Sequence, residues 1–228
     1  MSERAAQRKA LSKGLDRLNE RMVTLAELSE LAIRKAMDSL ARRDPVLAQE
    51  VMLLDREIYA LQVEVEGACA DLIALHAPVA RDLRTVTTSL KITTDLDRIG
   101  RYGRDIAEIT LQMVGRGGEP VSLPPRLREM ADLTIEMVDT ATDAFVKRYA
   151  DTVRDIMIVD DKVDALHQEN FRDLVGRMAS GAVDVETGAR YLYVNRYLER
   201  VADHAVNIGE RVVYMVTGER PKPPADQG

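Results

Sequence analysis

Apolar residues recur along this chain at alternating steps of three and four. Val51, Leu54, Ile58, Leu61, Val65, Ala68, Leu72 and Leu75 form one such set. Ile92, Leu96, Ile99, Gly103, Ile106, Thr110 and Met113 form a second, and Val194, Leu198, Val201, Ala205, Ile208, Val212 and Met215 a third. A period near 3.5 residues lays each set along one side of a helix, the packing seam of an antiparallel bundle. A fourth stripe, Ile156, Val159, Val163 and Leu166, then slips by one residue toward Phe171, Leu174 and Met178. That slip predicts a helix that is bent or packed differently.

Breakers divide the stripes. Arg43-Asp44-Pro45 closes a first helix, and Pro45 suits the opening of the next. Ala77-Pro78 follows the second helix. Gly115 to Pro120, running on to Pro124-Pro125, is the longest interruption. Ser180-Gly181 interrupts the second half, and Thr217-Gly218 precedes a proline-rich end. Six helices are predicted, at 15–42, 45–75, 79–114, 125–149, 152–179 and 184–216. Residues 1–14 and 218–228 are expected as flexible tails, and 116–124 as a linker.

The halves repeat one another, the pattern of a duplicated unit. A shift of 105 lays Leu25–Leu61 on Met130–Leu166 without a gap, with identities that include Ala36/Ala141, Asp38/Asp143, Arg43/Arg148, Met52/Met157 and Asp55/Asp160. Later the shift becomes 102, and Leu90/Leu192, Leu96/Leu198, Arg98/Arg200, Glu108/Glu210 and Met113/Met215 coincide. The predicted fold is all-α: two tandem, pseudo-symmetric three-helix bundles of long antiparallel helices, 15–115 and 125–217.

Composition agrees with this. The 228 residues hold 13 Gly, 8 Pro, seven Tyr, two Phe and no Trp, too little turn and aromatic material for a β-sandwich. No apolar run exceeds the five residues Val212–Val216, far short of the roughly 18 that span a bilayer. The N-terminus Met1-Ser2-Glu3-Arg4 leads into no apolar signal core, so a cytoplasmic protein without membrane insertion is expected. The net charge of −6 speaks against nucleic-acid binding. Cys69, the single cysteine, reads as a small buried residue, and disulfides, zinc ribbons and CxxC redox chemistry are excluded.

The acidic residues carry the candidate chemistry. Glu199, Asp203, Asn207 and Glu210 span about 80° of the sixth helix, on the side away from its seam. Like charges four residues apart repel, and a hard cation such as Mg²⁺ or Mn²⁺ would relieve them. A nearby histidine would admit Fe or Zn. Asp160, Asp164 and His167 form a second polar stripe on the fifth helix. The same residues would equally make a solvated face balanced by Arg196 and Arg200. In the first half the register is kept but the chemistry changes. Asp97, Arg101, Asp105 and Glu108 replace the sixth-helix set, and Tyr59 stands where Asp164 would be. Arg101, four residues from Asp97 and from Asp105, is expected to neutralise both. Any metal site is therefore expected at Asp160, Asp164, Glu199 and Asp203, with Asp55, Asp97 and Asp105 as the weaker counterpart.

Four segments carry a family resemblance. These are Asp55-Arg56-Glu57-Ile58, the loop Pro78-Val79-Ala80-Arg81-Asp82-Leu83-Arg84 with Leu96-Asp97-Arg98-Ile99-Gly100, and the run from Leu198 to Ile208. Together they resemble the PhoU family of bacterial phosphate-signalling proteins, over about residues 15 to 218. The resemblance implies a non-enzymatic, cytoplasmic homodimer that represses the phosphate-starvation response. Its implied partners are the nucleotide-binding subunit of the phosphate ABC transporter and a sensor histidine kinase. It also implies optional binding of Mg, Mn, Zn or Fe through the acidic motif, which falls on Glu199 and Asp203, with Asp160 and Asp164 as the matching acids. In the first repeat the motif falls on Asp97 alone.

Pro78 can open the third helix, and Asp82 in its first turn suits the helix dipole. Arg81 and Arg84 are then expected as mobile cations at a bundle end. With Asp82 they are the candidate partner-docking residues. Two other classes would leave different marks in the sequence. A di-metal carboxylate protein typically needs paired Glu-x-x-His motifs, and only Asp164-Ala165-Leu166-His167 approaches one. A histidine phosphotransfer bundle would need His204 or His167 exposed among cations.

Overall fold

The computed structural model describes residues 3–116 and 123–220. Within them the regular elements are six helices: α1 (Glu3–Arg42), α2 (Pro45–His76), α3 (Ala80–Arg116), α4 (Pro125–Lys147), α5 (Val153–Ala179) and α6 (Val185–Thr217). Helix α1 already begins at Glu3, so most of the segment expected as a tail is helical instead. Leu11 and Leu15 are the reason, since they continue the apolar face of α1 onto the core. Residues 117–122 of the expected linker and 221–228 of the expected C-terminal tail lie outside the described residues.

The helix ends follow local chemistry. Asp44 caps α2, its side chain accepting from the Val46 and Leu47 amides at 2.8 and 3.2 Å, with Pro45 at the first helical position. Asp184 caps α6 by accepting from the Thr187 amide at 3.0 Å. Gly218 closes α6 with φ +82, a left-handed geometry that glycine adopts without strain. Arg43 and Arg148, equivalent under the 105-residue shift, end α1 and α4 in the same left-handed conformation.

Helices α1, α2 and α3 pack on one another, as do α4, α5 and α6, and the two bundles join through α3 against α6 and α1 against α4. Every seam residue predicted on α3 and α6 is buried, and both bundles share one continuous apolar core. Helix α3 touches α1, α2 and α6, so it also buries Thr85, Thr88, Ser89, Thr93, Asp95 and Asp97. Several of these hydroxyls donate to the carbonyl four residues earlier, which satisfies them inside the core. Gly103 is needed here. A Cβ on it would lie 2.9 Å from the Ala32 carbonyl carbon, and backbone cannot yield as a side chain can.

Helix α5 corrects the sequence reading. Its buried residues are Ile156, Val163, Asn170 and Leu174, which keeps the seam in register, while Phe171 is exposed. The seam position is a polar residue. Asn170 Nδ2 donates to Asn195 Oδ1 at 3.1 Å, and Asn195 Nδ2 donates to the His167 carbonyl at 2.9 Å. A satisfied amide can occupy a core position that the apolar pattern assigned to its neighbour. On α2 the seam passes through Cys69, whose thiol is pushed up to about 12 by burial and by Glu66, so it is an inert packing residue.

Candidate functional site

Packing of α5 on α6 brings the second-repeat acids into one electrostatic neighbourhood. The Asp160 carboxyl is raised to about 6, first by burial and then by Asp164, Asp203, Asp161 and Glu199. Glu199 is raised as well, by burial and Asp203. Arginines answer part of this charge. Arg196 pairs with Glu199, and Arg200 lies 3.9 Å from Asp203. Glu199 Oε2 is nevertheless buried without a hydrogen-bond partner. Mutual repulsion and an orphaned carboxylate oxygen are what a hard cation would relieve, so the donor set fits a divalent ion chemically. As placed, the side chains do not close around one. Among the described residues no three acidic, histidine or cysteine side chains form a metal-holding group. The di-metal carboxylate reading is not favoured.

The sixth-helix stripe divides between two neighbours. Glu199 and Asp203 belong to the α5 side, whereas Asn207 and Glu210 line a cleft against Thr88 and Lys91 of α3. The stripe faces away from its own seam, but part of it faces the other repeat.

The first repeat holds its acids with arginines. Arg101 Nε donates to Asp97 Oδ2 at 2.8 Å, while Asp105 is held by Arg104 at 2.8 Å. The expectation that Arg101 bridges Asp97 and Asp105 is therefore corrected. Arg104 also lies 3.6 Å from Asp55 and from Glu108, and these acids raise its pKa, chiefly through the Asp105 hydrogen bond. The guanidinium takes the place of a cation among all three. Position 104 is valine in the second repeat, Val206, and that difference was readable once the repeat was aligned.

The docking residues also separate. Arg84 is half-buried and tethered, its Nε donating to the Met215 carbonyl at 3.4 Å near the end of α6, so it is not a mobile cation. Free carbonyls at a helix C-terminus attract a cation, which explains the tether. Arg81 and Asp82 instead line a shallow cleft with Arg8, Asp16 and Arg148. Burial and Arg81 lower the Arg148 pKa.

Residues at the α3–α6 interface escaped the sequence reading. His204 turns away from Asp203, as helical geometry requires, and its Nδ1 lies 3.0 Å from Oδ1 of Asp95 on α3. Arg211 Nε is 2.8 Å from Asp95 Oδ2, an ion pair off line for a hydrogen bond. His167 Nδ1 faces the Asn195 carbonyl at 3.4 Å. Both histidines are thus engaged, which disfavours a phosphotransfer role. Only the alignment of Asp95 with Tyr197, and of Tyr102 with His204, marks these positions in sequence.

The fold and its paired acidic faces define a class: an all-α protein of two tandem three-helix bundles, with arginine-held acids in one repeat and only partly neutralised acids in the other. A family profile described as the PhoU domain matches residues 22–110 and again 127–212. The chain belongs to the PhoU family. A "phosphate-specific transport system accessory protein PhoU homolog" of Clostridium acetobutylicum is 30% identical over 214 residues, 93% of this chain and 97% of that one. The Deinococcus radiodurans protein of the same description is 34% identical over 88% of this chain and 89% of its own. The crystal structure of the phosphate transport system regulatory protein PhoU from Streptococcus pneumoniae superposes with a TM-score of 0.85 at 30% identity, covering 93% of this chain and 100% of that one.

Proposed function

We propose that this protein is the accessory regulator of a phosphate-specific transport system and represses the phosphate-starvation response when phosphate is plentiful. The observation that carries the reading is coverage. Both repeats match the PhoU domain, and accessory-protein relatives align over nearly their whole length and not over one bundle. The role is that of a non-enzymatic adaptor in the cytoplasm, acting as a homodimer between the transporter's nucleotide-binding subunit and a sensor histidine kinase. Arg81 and Asp82, with Arg148 beside them, are the proposed contact set, while Arg84 supports the join between repeats. A divalent or iron-type ion at Asp160, Asp164, Glu199 and Asp203 is an optional addition to this role. That set has uncompensated carboxylates, whereas Arg101 and Arg104 occupy the first-repeat counterpart.

The test is deletion in a strain carrying a phosphate-starvation reporter, grown at high phosphate. Derepression that a plasmid copy reverses is expected. A reporter that stays repressed, with normal uptake, removes the reading. Pull-down with Arg81→Glu separately tests the contact set, and unchanged capture of both partners would discard it.

A further inference from the structure

Two open clefts lie between α3 and α6, at places related by the 102-residue shift. The two occupy equivalent places in the pseudo-symmetric fold, but their size and chemistry differ. One is lined by Asp105, Glu108 and Glu186 with Arg190 as its cation. The other, of about 240 Å³, is lined by Lys91, Arg211 and Arg220 with Glu210 as its carboxylate. Architecture explains a groove at each place. It does not explain three cations gathered at one of them.

The cationic cleft has a positioned floor. Asp95 is almost fully buried and held by His204, and it grips Arg211 through Nε at 2.8 Å, with Nη2 at 3.5 Å from its other oxygen. Nη1 of Arg211 has no protein partner among the described residues. Lys91, Arg220 and Glu210 likewise make no ion pair among those residues. Thr88 stands out from its neighbours. Thr85, Thr87, Ser89, Thr93 and Thr94 return their hydroxyls to backbone carbonyls of α3, and Thr88, which lines the cleft, makes no such bond. A buried carboxylate that orients a guanidinium, with two cations and a hydroxyl around it that have no partner among the described residues, is an arrangement for an oxyanion.

Glu210 narrows the class. A carboxylate repels a fully ionised oxyanion but accepts a hydrogen bond from one that keeps a proton. Near neutral pH inorganic phosphate always keeps a proton, a phosphomonoester keeps one only in part because its second pKa is about 6, and sulfate keeps none. The cleft is also smaller than the roughly 300 Å³ lower bound of pockets for drug-sized ligands. We propose that the α3–α6 cleft of Lys91, Arg211, Arg220 and Glu210 binds a phosphate oxyanion, either the free ion or the head of a small phosphomonoester. This goes beyond the adaptor role, which does not need a small ligand.

Isothermal titration of the full chain with inorganic phosphate, AMP and sulfate at constant ionic strength tests it. Saturable binding of phosphate or AMP is expected, with sulfate weaker by about tenfold or more, the loss of one charge-assisted hydrogen bond. Phosphate without AMP identifies the free ion, and AMP without phosphate the monoester. Lys91→Glu and Arg220→Glu, both at exposed positions, should weaken binding by at least about tenfold with unchanged melting temperature. Glu210→Gln should narrow the gap between phosphate and sulfate. No saturable binding of either phosphate ligand, or binding unmoved by Lys91→Glu, overturns the proposal. The reporter assay above is independent. A chain that complements the deletion without binding phosphate removes the cleft site alone. One that binds but does not complement supports the site and removes the adaptor role.

Discussion

His204 and Asp95 join the two repeats: Nδ1 of His204 on α6 meets Oδ1 of Asp95 on α3 at 3.0 Å. A carboxylate oxygen accepts, so the contact places the ring proton on Nδ1. The 102-residue shift carries Asp95 to Tyr197 and Tyr102 to His204. The stacked rings of Tyr102 and Tyr197, 5.6 Å apart, are therefore the same pair on the other side of the pseudo-symmetry axis. One side of the axis is joined by a histidine–carboxylate contact and the other by aromatic stacking. Removing one partner of a buried charged pair typically costs about 3–5 kcal/mol. Asp95→Ala should fall in that range in urea unfolding. A double-mutant cycle with His204→Ala should give a coupling of about 0.5–3 kcal/mol. A coupling near zero would show that the interface does not depend on this pair.

The seam of α5 can be tested by contrast. Asn170→Ala leaves the Asn195 amide oxygen without its donor, at a cost of about 1–3 kcal/mol. Phe171→Ala, at an exposed position, should change stability by no more than about 0.5 kcal/mol. The opposite ordering in chemical denaturation would restore Phe171 to the seam.

Glu30 on α1 is raised to about 7, first by burial, then by Asp139 on α4, with Arg34 opposing and Glu27 adding. Its folded pKa lies above its ordinary value of 4.5, so the folded state binds more protons between about 4.5 and about 7. Stability from this group is complete below that window and is lost as pH rises through it. Glu30→Gln should therefore stabilise the protein at pH 8 and leave it unchanged at pH 4. The side chain is partly exposed, so after discounting for solvent screening the gain is about 1 kcal/mol. Denaturation midpoints at the two pH values measure it, and an equal effect at both would reject the assignment.

The acidic faces predict unequal metal binding. Titration of chelator-treated protein with Mn²⁺ or Zn²⁺ should show a site that Asp203→Asn weakens by about tenfold or more, the loss that removing even an outer-shell partner brings. Asp97→Asn, whose carboxylate is already held by Arg101, should leave the titration unchanged. Wild-type and Asp203→Asn curves that superpose would dispose of the second-repeat site.

The repeat, the six helices and nearly all of the seams were legible because helical burial leaves a period in the chain. Ile92 through Met113 and Val194 through Met215 are buried as that period requires. On α2 the pattern fails at its end, where Leu75 is exposed and Cys69 takes the buried place given to Ala68. Asn170 occupies a core position that the pattern gave to Phe171, because its amide finds a partner 25 residues away that periodicity does not record. Residues 3–14 read as a tail because a lone leucine shows no stripe, yet Leu11 packs against a core that the rest of the fold completes.

The acidic residues were equally visible, and so was the exchange of Asp164 for Tyr59 and of Asp203 for Arg101 between repeats. Their pairings were not. Arg104 holds Asp55 from the neighbouring helix, Arg84 is tied to the end of α6, and Asp95 meets His204 and Arg211 across more than 100 residues of chain. Spacing along a helix fixes which side a residue faces, and that much the sequence settled alone. Which helix lies on that side, and whether its charges oppose or match, is decided by how the two bundles pack. The tertiary structure therefore separated a single acidic stripe into a candidate metal face and one wall of a cationic cleft.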